Sequence, residues 1–263
     1  MSITSYSTGS AAYDRMMLPW SQVYVPKLLE AVAIGTGQRV LDVATGTGVA
    51  ALLAGDRVGP TGRIVGVDIS LPMLRVAQPK VARKEVAWLA MDGQALACRD
   101  GSFEAVTCHL GLMFFPDPRR GLAEFRRVLR PSGRVGLAVL SRPEGFPYGR
   151  VFEALAARVA AERNALLLGF SLGDGDMLAE LLKGAGFRDV RVSYERAQVV
   201  FDSFEEYWAP LEAGGGRAGQ VYVGLAADVR ATVLREVRDY LARFERGGRL
   251  ALETETLVGI AEA

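Results

Sequence analysis

The chain has 263 residues, half of them apolar and 23% charged, with a formal net charge of +1. That length and composition suit one globular α/β domain with insertions and a large core. The near-neutral balance, with basic residues scattered among acids, argues against a nucleic-acid partner, which needs a basic face.

In chain order, residues 1–6 (MSITSY) lack a basic region followed by an apolar run, so no signal peptide is expected. Residues 11–34 read as one or two helices, with Leu28, Leu29 and Val32 at helical spacing after Pro26. From Val40 to Leu140 strand-like apolar runs alternate with helical patterns, which predicts right-handed βαβ crossovers and a parallel sheet. The helix at 117–130 has Pro118 in its first turn, Leu122, Phe125, Val128 and Leu129 on its inner face, and arginines near its end. A strand follows at 134–140. Beyond it come a helix at 148–168, a short one at 177–183, one long strand or two pieces over 187–201, and a helix at 203–212. The glycine run 214–216 is a candidate hinge. A long helix then presents Val229, Val233, Val237, Leu241 and Phe244 on one face, and a last alternating strand starts near Leu250. No stretch approaches the ~20 apolar residues needed to span a bilayer, and a cytoplasmic protein is expected. Cys98 and Cys108 form no CxxC pair and read as reduced, mostly buried residues, with no metal site.

The most informative stretch is residues 39–51, RVLDVATGTGVAA, a short buried strand running into a glycine turn and a helix. Glycine lets the backbone turn sharply and a ligand approach it closely. Amides at a helix start point into the crevice where open α/β sheets bind ligands. Gly46-Thr47-Gly48-Val49-Ala50-Ala51 also fits the dinucleotide fingerprint, with Asp68 where a ribose-binding acid is expected. Asp42, inside the strand, is costly to bury without a partner. It suits a pyrophosphate poorly, since like charges repel, and it suits a cofactor carrying an ammonium and a sulfonium. Two further strands end in acids, at Asp68 and Asp92, and a fourth, 103–110, runs through His109 into Gly111-Leu112-Met113-Phe114-Phe115-Pro116-Asp117.

With those segments in view, the chain resembles the class I S-adenosylmethionine-dependent methyltransferases, specifically the small-molecule type 11 group that includes the ubiquinone/menaquinone methyltransferases. The resemblance is carried by VLDVATGTG (40–48), VDIS (67–70), MDGQAL (91–96), DGSFEAVTCHLGLMFFPD (100–117) and FRRVLRPSGRV (125–135), in the family's order across roughly residues 38–140. Ala44 departs from the pattern, standing where the family's first glycine is usual. The resemblance implies an α/β, Rossmann-like, seven-stranded, mostly parallel sheet with helices on both faces and its last strand antiparallel. It also implies a helical lid: residues 1–37, before a methyltransferase domain at 38–263, and insertions at about 141–185 and 202–247.

The same resemblance implies the site. Gly46 and Gly48, with Ala44, face the methionine part of S-adenosylmethionine, and Asp42 holds its ammonium end. Asp68 takes the ribose hydroxyls, Ile69 packs on the adenine, Asp92 accepts from the adenine amine, Gly93 faces the ring and Met73 touches its edge. His109, the single histidine, titrates near neutrality when unperturbed and is a candidate general base; the competing reading makes it a cofactor contact in the wall. Tyr13, Trp20, Met113, Phe114 and Phe115 are candidate lining residues. The implied reaction moves a methyl group to a small, partly hydrophobic acceptor by in-line displacement, releasing S-adenosylhomocysteine. The segment His109-Leu110-Gly111-Leu112 is not the Asn/Asp-Pro-Pro-Tyr motif used on exocyclic amines of bases. The alternatives are a protein that binds the cofactor without methyl transfer, or a non-methylating catalyst on the same fold. More remote is an NAD(P)-dependent oxidoreductase.

Overall fold

The structure, a computed structural model, describes residues 9–80 and 86–263; the N-terminal hexapeptide considered above lies outside them. Helix α1 (Ser10–Ala31) leads into an alternating run: β1 (Arg39–Val43), α2 (Val49–Val58), β2 (Arg63–Asp68), α3 (Leu71–Ala77), β3 (Val86–Ala90), β4 (Phe103–His109), α4 (Pro118–Val128) and β5 (Leu129–Leu140). Apolar strands that show little alternation are buried on both faces, and helices supply the cover. In β1, Val40, Leu41 and Val43 are all buried. Helix α4 starts where Asp117 accepts a hydrogen bond from the Arg120 amide, with Pro118 in the first turn. Its Leu122, Phe125 and Val128 are fully buried, worth roughly 1.5–3 kcal/mol each.

The sheet has the order β3-β2-β1-β4-β5-β8-β6, where β6 is Arg188–Phe201 and β8 is Arg249–Glu262. Strands β1 to β5 pair in parallel, and β8 enters antiparallel between β5 and β6. An eighth strand, the two-residue β7 (Glu245–Arg246), forms a hairpin with β8 through Gly247-Gly248. The succession of strands reverses between β1 and β4, with β2 and β3 added on one side and β5 on the other, so a crevice opens at their C-terminal ends, the usual ligand position in such sheets. One face is covered by α1 and α2, through Val25, Leu28, Leu29, Ala51 and Ala54 against Val40, Ile64 and Ala138. The other face carries α4 and α7 (Gly175–Gly184), through Phe125, Leu178 and Leu182 against Val106, Leu137 and Leu257.

The outer segments differ in detail from the pattern reading. The region read as one or two helices over 11–34 is the single helix α1, ending at Ala31, which keeps Pro19 and Pro26 inside it. The helix expected over 148–168 is broken. Helix α5 (Gly149–Arg158) ends at Val159, a 3-10 turn follows, and α6 (Arg163–Leu167) resumes. The bend lets Leu155 and Leu166 both reach the core, so packing overrides the propensity of an alanine- and leucine-rich run. After α8 (Phe204–Glu212), the long helix is split into α9 (Gly216–Val223) and α10 (Ala227–Leu241). Gly224 stands at the break. The run 214–216 packs under the first turns of α1. A Cβ on Gly9 would lie 2.4 Å from the Gly214 carbonyl oxygen, and one on Gly216 would lie 3.0 Å from Met16. The turn Pro131-Ser132-Gly133 sits inside β5 as an irregularity in its pairing with β4, with Ser132 at positive φ. Among the described residues, no helix is long and apolar enough to cross a membrane.

Candidate active site

The crevice at the strand tips holds a cavity of about 320 Å³, within the range of roughly 300–1,000 Å³ typical of small-molecule sites. Its floor is the β1–α2 loop. Ala44, Gly46 and Gly48 all take positive φ there, at 54°, 56° and 87°. The loop is knitted to its neighbours. The Thr45 amide donates to the Val67 carbonyl at 2.9 Å, and the Gly46 amide donates to Asp68 Oδ2 at 2.8 Å. The other Asp68 oxygen accepts from the Ser70 amide at 2.8 Å. Burial raises the Asp68 carboxyl above its ordinary range despite these amide donors.

Asp42 is nearly inaccessible to solvent. It accepts from Thr45 Oγ1 at 2.6 Å and from Thr107 Oγ1 at 2.7 Å. Its carboxylate thereby ties β1 to its own loop and to β4. Burial pushes its pKa up to about 6, against the pull of the two hydroxyls. Asp92, past the tip of β3, accepts from the Gln94 amide at 2.9 Å. Gly93 is buried against Phe115: a Cβ there would meet the ring at 2.5 Å.

Helix α1 forms the wall opposite, through Tyr13, Asp14, Met17, Leu18 and Ser21. Asp14 Oδ1 accepts from Thr47 Oγ1 at 2.5 Å and from Lys80 Nζ at 2.6 Å, and Lys80 also reaches the Thr47 carbonyl. The helix is thus fastened to the glycine loop by one carboxylate. Burial, with Asp68 and Asp14 adding to it, holds the Tyr13 phenol protonated. His109, ending β4, lies 3.3 Å from Ser21 Oγ through Nε2. Burial pushes its imidazole down to about 4, so the ring is neutral at physiological pH.

Of the sequence-predicted residues, Asp42, Ala44, Gly46, Asp68, Ile69, Met73, Asp92, Gly93, His109, Tyr13, Phe114 and Phe115 line the cavity. Three do not. Trp20 is buried between Tyr24 and Phe146, at ring distances of 4.5 and 5.1 Å. Met113 is buried in the core cluster. Gly48 sits behind the loop, where a Cβ would collide with Trp88 at 2.6 Å; it is a packing position. Nor does any residue of 141–185 or 202–247 line the cavity; α8 and α9 pack against α1, while α7 packs with α4 on the opposite face of the sheet. The sequence reading passed over Met17, Leu18 and Ser21, although their i, i+1, i+4 spacing puts them on one face of α1. It also passed over Thr45 and Thr107, the hydroxyls that make Asp42 tolerable to bury. The cysteines are free. Among the described residues no group of three or more His, Cys, Asp or Glu side chains is placed to hold a metal ion.

The profile of the ubiE/COQ5 methyltransferase family matches residues 10–168, more than half of the chain. The chain belongs to the ubiE/COQ5 methyltransferase family. It is similar to the nocamycin O-methyltransferase of Saccharothrix syringae, at 32% identity over 252 residues covering 89% of each chain. It is also similar to the demethylmenaquinone methyltransferase of Deinococcus radiodurans, at 36% identity over 165 residues, 57% of this chain and 68% of that one. Haemonchus contortus phosphoethanolamine N-methyltransferase 2, solved in complex with S-adenosyl-L-methionine, shares the fold. Its TM-score is 0.63 at 18% identity, over 100% of this chain and 60% of that one.

This methyltransferase is S-adenosylmethionine-dependent, and its cavity suits that cofactor. Aspartates stand at the tips of the strands, in a wall that is otherwise largely apolar. Ser70 Oγ, also in the wall, is buried with no hydrogen-bond partner among the described residues. A cation with ribose and amine donors matches that set better than a pyrophosphate does.

Proposed function

We propose that the methyl acceptor is a small, partly apolar molecule and that the methyl donor is held by the residues at the strand tips. The observation that carries this reading is the composition of the cavity wall. Tyr13, Met17, Leu18, Leu110, Phe114 and Phe115 supply apolar surface, while Asp42, Asp68 and Asp92 supply acceptors. Asp42 faces the ammonium end, Asp68 takes the ribose hydroxyls, and Asp92 and the Gly93 amide serve the adenine, with Ile69 and Met73 packed on the ring. Ala44 and Gly46 bring backbone close to the methionine part. The bound cofactor supplies an electrophilic methyl group on a sulfonium. The chain's work is then to align the acceptor and exclude water around it. Relatives named for nocamycin and for demethylmenaquinone support a small-molecule acceptor. Two free cysteines suit a reducing, cytoplasmic setting.

Calorimetry with S-adenosylhomocysteine and with NAD tests the donor site, and the first is expected to bind. Binding of NAD alone would sink it. Mass spectrometry of a panel of quinols, phenols and enols, with protein and nucleic acid as competitors, tests the acceptor. Methylation confined to the macromolecules would refute the small-molecule reading.

A further inference from the structure

His109 is the single histidine of the chain, and its two ring nitrogens stand in different settings. Nε2 lies 3.3 Å from Ser21 Oγ, and both side chains line the cavity. Nδ1 is buried and has no hydrogen-bond partner among the described residues. A buried N–H left without an acceptor costs about 1–3 kcal/mol, and orphaned donors are rarer in proteins than under-satisfied acceptors. The neutral ring therefore carries its proton on Nε2, donates it to Ser21 Oγ, and leaves Nδ1 as a bare lone pair in the wall. An imidazolium would add an N–H at Nδ1 with nothing to receive it. Burial works in the same direction on this ring.

We propose that His109 serves the methyl acceptor as a neutral hydrogen-bond donor through Nε2–H, and that the acceptor arrives with its oxygen already ionised, as an acidic phenol, enol or carboxylic acid. The proposal rests on the small-molecule acceptor argued above. The lone pair a general base needs lies in the wall, and the nitrogen beside the cavity already carries the proton. The titratable groups around the cavity are engaged elsewhere. On α1, Asp14 is bound by Lys80 and Thr47, and Tyr13 keeps its proton. On β1, Asp42 is bound by Thr45 and Thr107. On β2, Asp68 is bound by the Gly46 and Ser70 amides, and beyond β3 Asp92 is bound by Gln94.

Ser21 is the side chain in contact with His109 Nε2, and burial alone shifts this ring, with no carboxylate acting on it. The contact to Ser21 is long for a hydrogen bond. An anionic oxygen competes for the same N–H with a bond roughly twice as strong. In the transfer, the oxygen–methyl bond forms as the carbon–sulfur bond breaks with its electron pair left on sulfur. The acceptor passes from anion to neutral ether or ester, and no proton moves to the chain.

Long-range 1H–15N spectra of the uniformly 15N-labelled protein, in complex with S-adenosylhomocysteine, read this one ring without assignment. The expected result is the Nε2–H tautomer, unmoved from about pH 5.5 to about pH 8. An Nδ1–H tautomer, or a titration midpoint above about pH 6, overturns the proposal. Calorimetry on the same complex then compares 2-hydroxy-1,4-naphthoquinone, an anion at neutral pH, with neutral 1-naphthol. The anion is expected to bind at least about tenfold more tightly. His109→Gln, which keeps an N–H near the Nε2 position, retains that preference, and His109→Ala loses it. Equal affinity for the two probes, no binding of the anion, or equal loss in both variants overturns the proposal. Failure of S-adenosylhomocysteine to bind in the first place is a separate result, and it strikes the donor site instead.

Discussion

Gly46 and Gly48 both sit at positive φ in the same loop, yet alanine should act on them in different ways. At Gly48 a Cβ would lie 2.6 Å from Trp88 and 3.0 Å from Ala77. The left-handed conformation costs a side chain about 1–2 kcal/mol, and overpacking adds about 1–3 kcal/mol. The stiffer unfolded chain returns about 0.4–1 kcal/mol. Gly48→Ala should therefore lower stability by about 2–4 kcal/mol. At Gly46 a Cβ meets nothing within 4 Å, because it projects into the cavity. Gly46→Ala should cost only about 1 kcal/mol of stability, but its methyl group occupies space needed by the methionine part of the cofactor. Urea denaturation of the cofactor-free protein and calorimetry with S-adenosylhomocysteine separate the two effects. Gly48→Ala should lose stability and, where it still folds, keep most of its affinity. Gly46→Ala should keep its stability and lose about tenfold or more in affinity. A Gly46 variant that is the less stable of the two, or that binds as well as the parent, would refute this account of the loop.

Other outcomes follow from the same contacts. Because the buried Asp42 carboxyl has a pKa of about 6 when folded, against about 3.9 in an unfolded chain, its protonated form is favoured by folding. Its contribution to stability is full below about pH 4 and is lost as pH rises through 6, by up to about 2–3 kcal/mol. Asp42→Asn should flatten much of the decline in urea midpoint between pH 4.5 and 7.5, and an unchanged slope would contradict the assignment. Asp68 shifts in the same direction, so some slope should remain. Asp14→Ala removes the fastening of α1 to Thr47 and Lys80. Amide exchange should quicken over residues 10–18 but not over 20–31, where Trp20, Tyr24, Leu28 and Leu29 are buried and Pro19 marks the division; a uniform change would argue against a local fastening. Asp68→Ala should weaken S-adenosylhomocysteine binding by about tenfold to a hundredfold, as expected for lost hydrogen bonds to a charged group, and parental affinity would remove Asp68 from the site.

What was legible in the sequence was what repeats along the chain: a strand, a turn or an acid at its tip, then a helix. That logic placed Asp42, Asp68, Asp92 and His109 around one crevice, because in a parallel sheet every strand tip points to the same end. It misjudged the aromatic and thioether residues because chemistry alone does not separate lining from core. Trp20 and Phe114 are both large and apolar, and only the turn of α1 and the close of β4 decide which one faces the cavity. Residues 141–185 and 202–247 were read as cover for the cavity because they interrupt the strand pattern. Among the described residues the lining beyond the strand tips and the segments that follow them comes from α1, through Tyr13, Asp14, Met17, Leu18 and Ser21. The positive φ of Ala44 was invisible as well. Alanine carries no marker for that conformation, and it is tolerated where Gly111 leaves room: a Cβ on Gly111 would lie 2.4 Å from that of Ala44.

The position of β8 bears on how the protein is made. It follows the other strands in the chain, yet it pairs with β5 on one side and β6 on the other. During synthesis from the N-terminus, β1 to β5 can assemble while β6 has no strand to join. The residues lining the cavity fall between 13 and 116, so the pocket can form early, beside an uncapped β5 whose stretch from Val135 to Leu140 is apolar and buried in the finished sheet. That edge is a template for pairing with another nascent chain until residues 249–262 arrive. The arrival of β8 therefore covers an apolar edge that stands open during the interval of translation after β5.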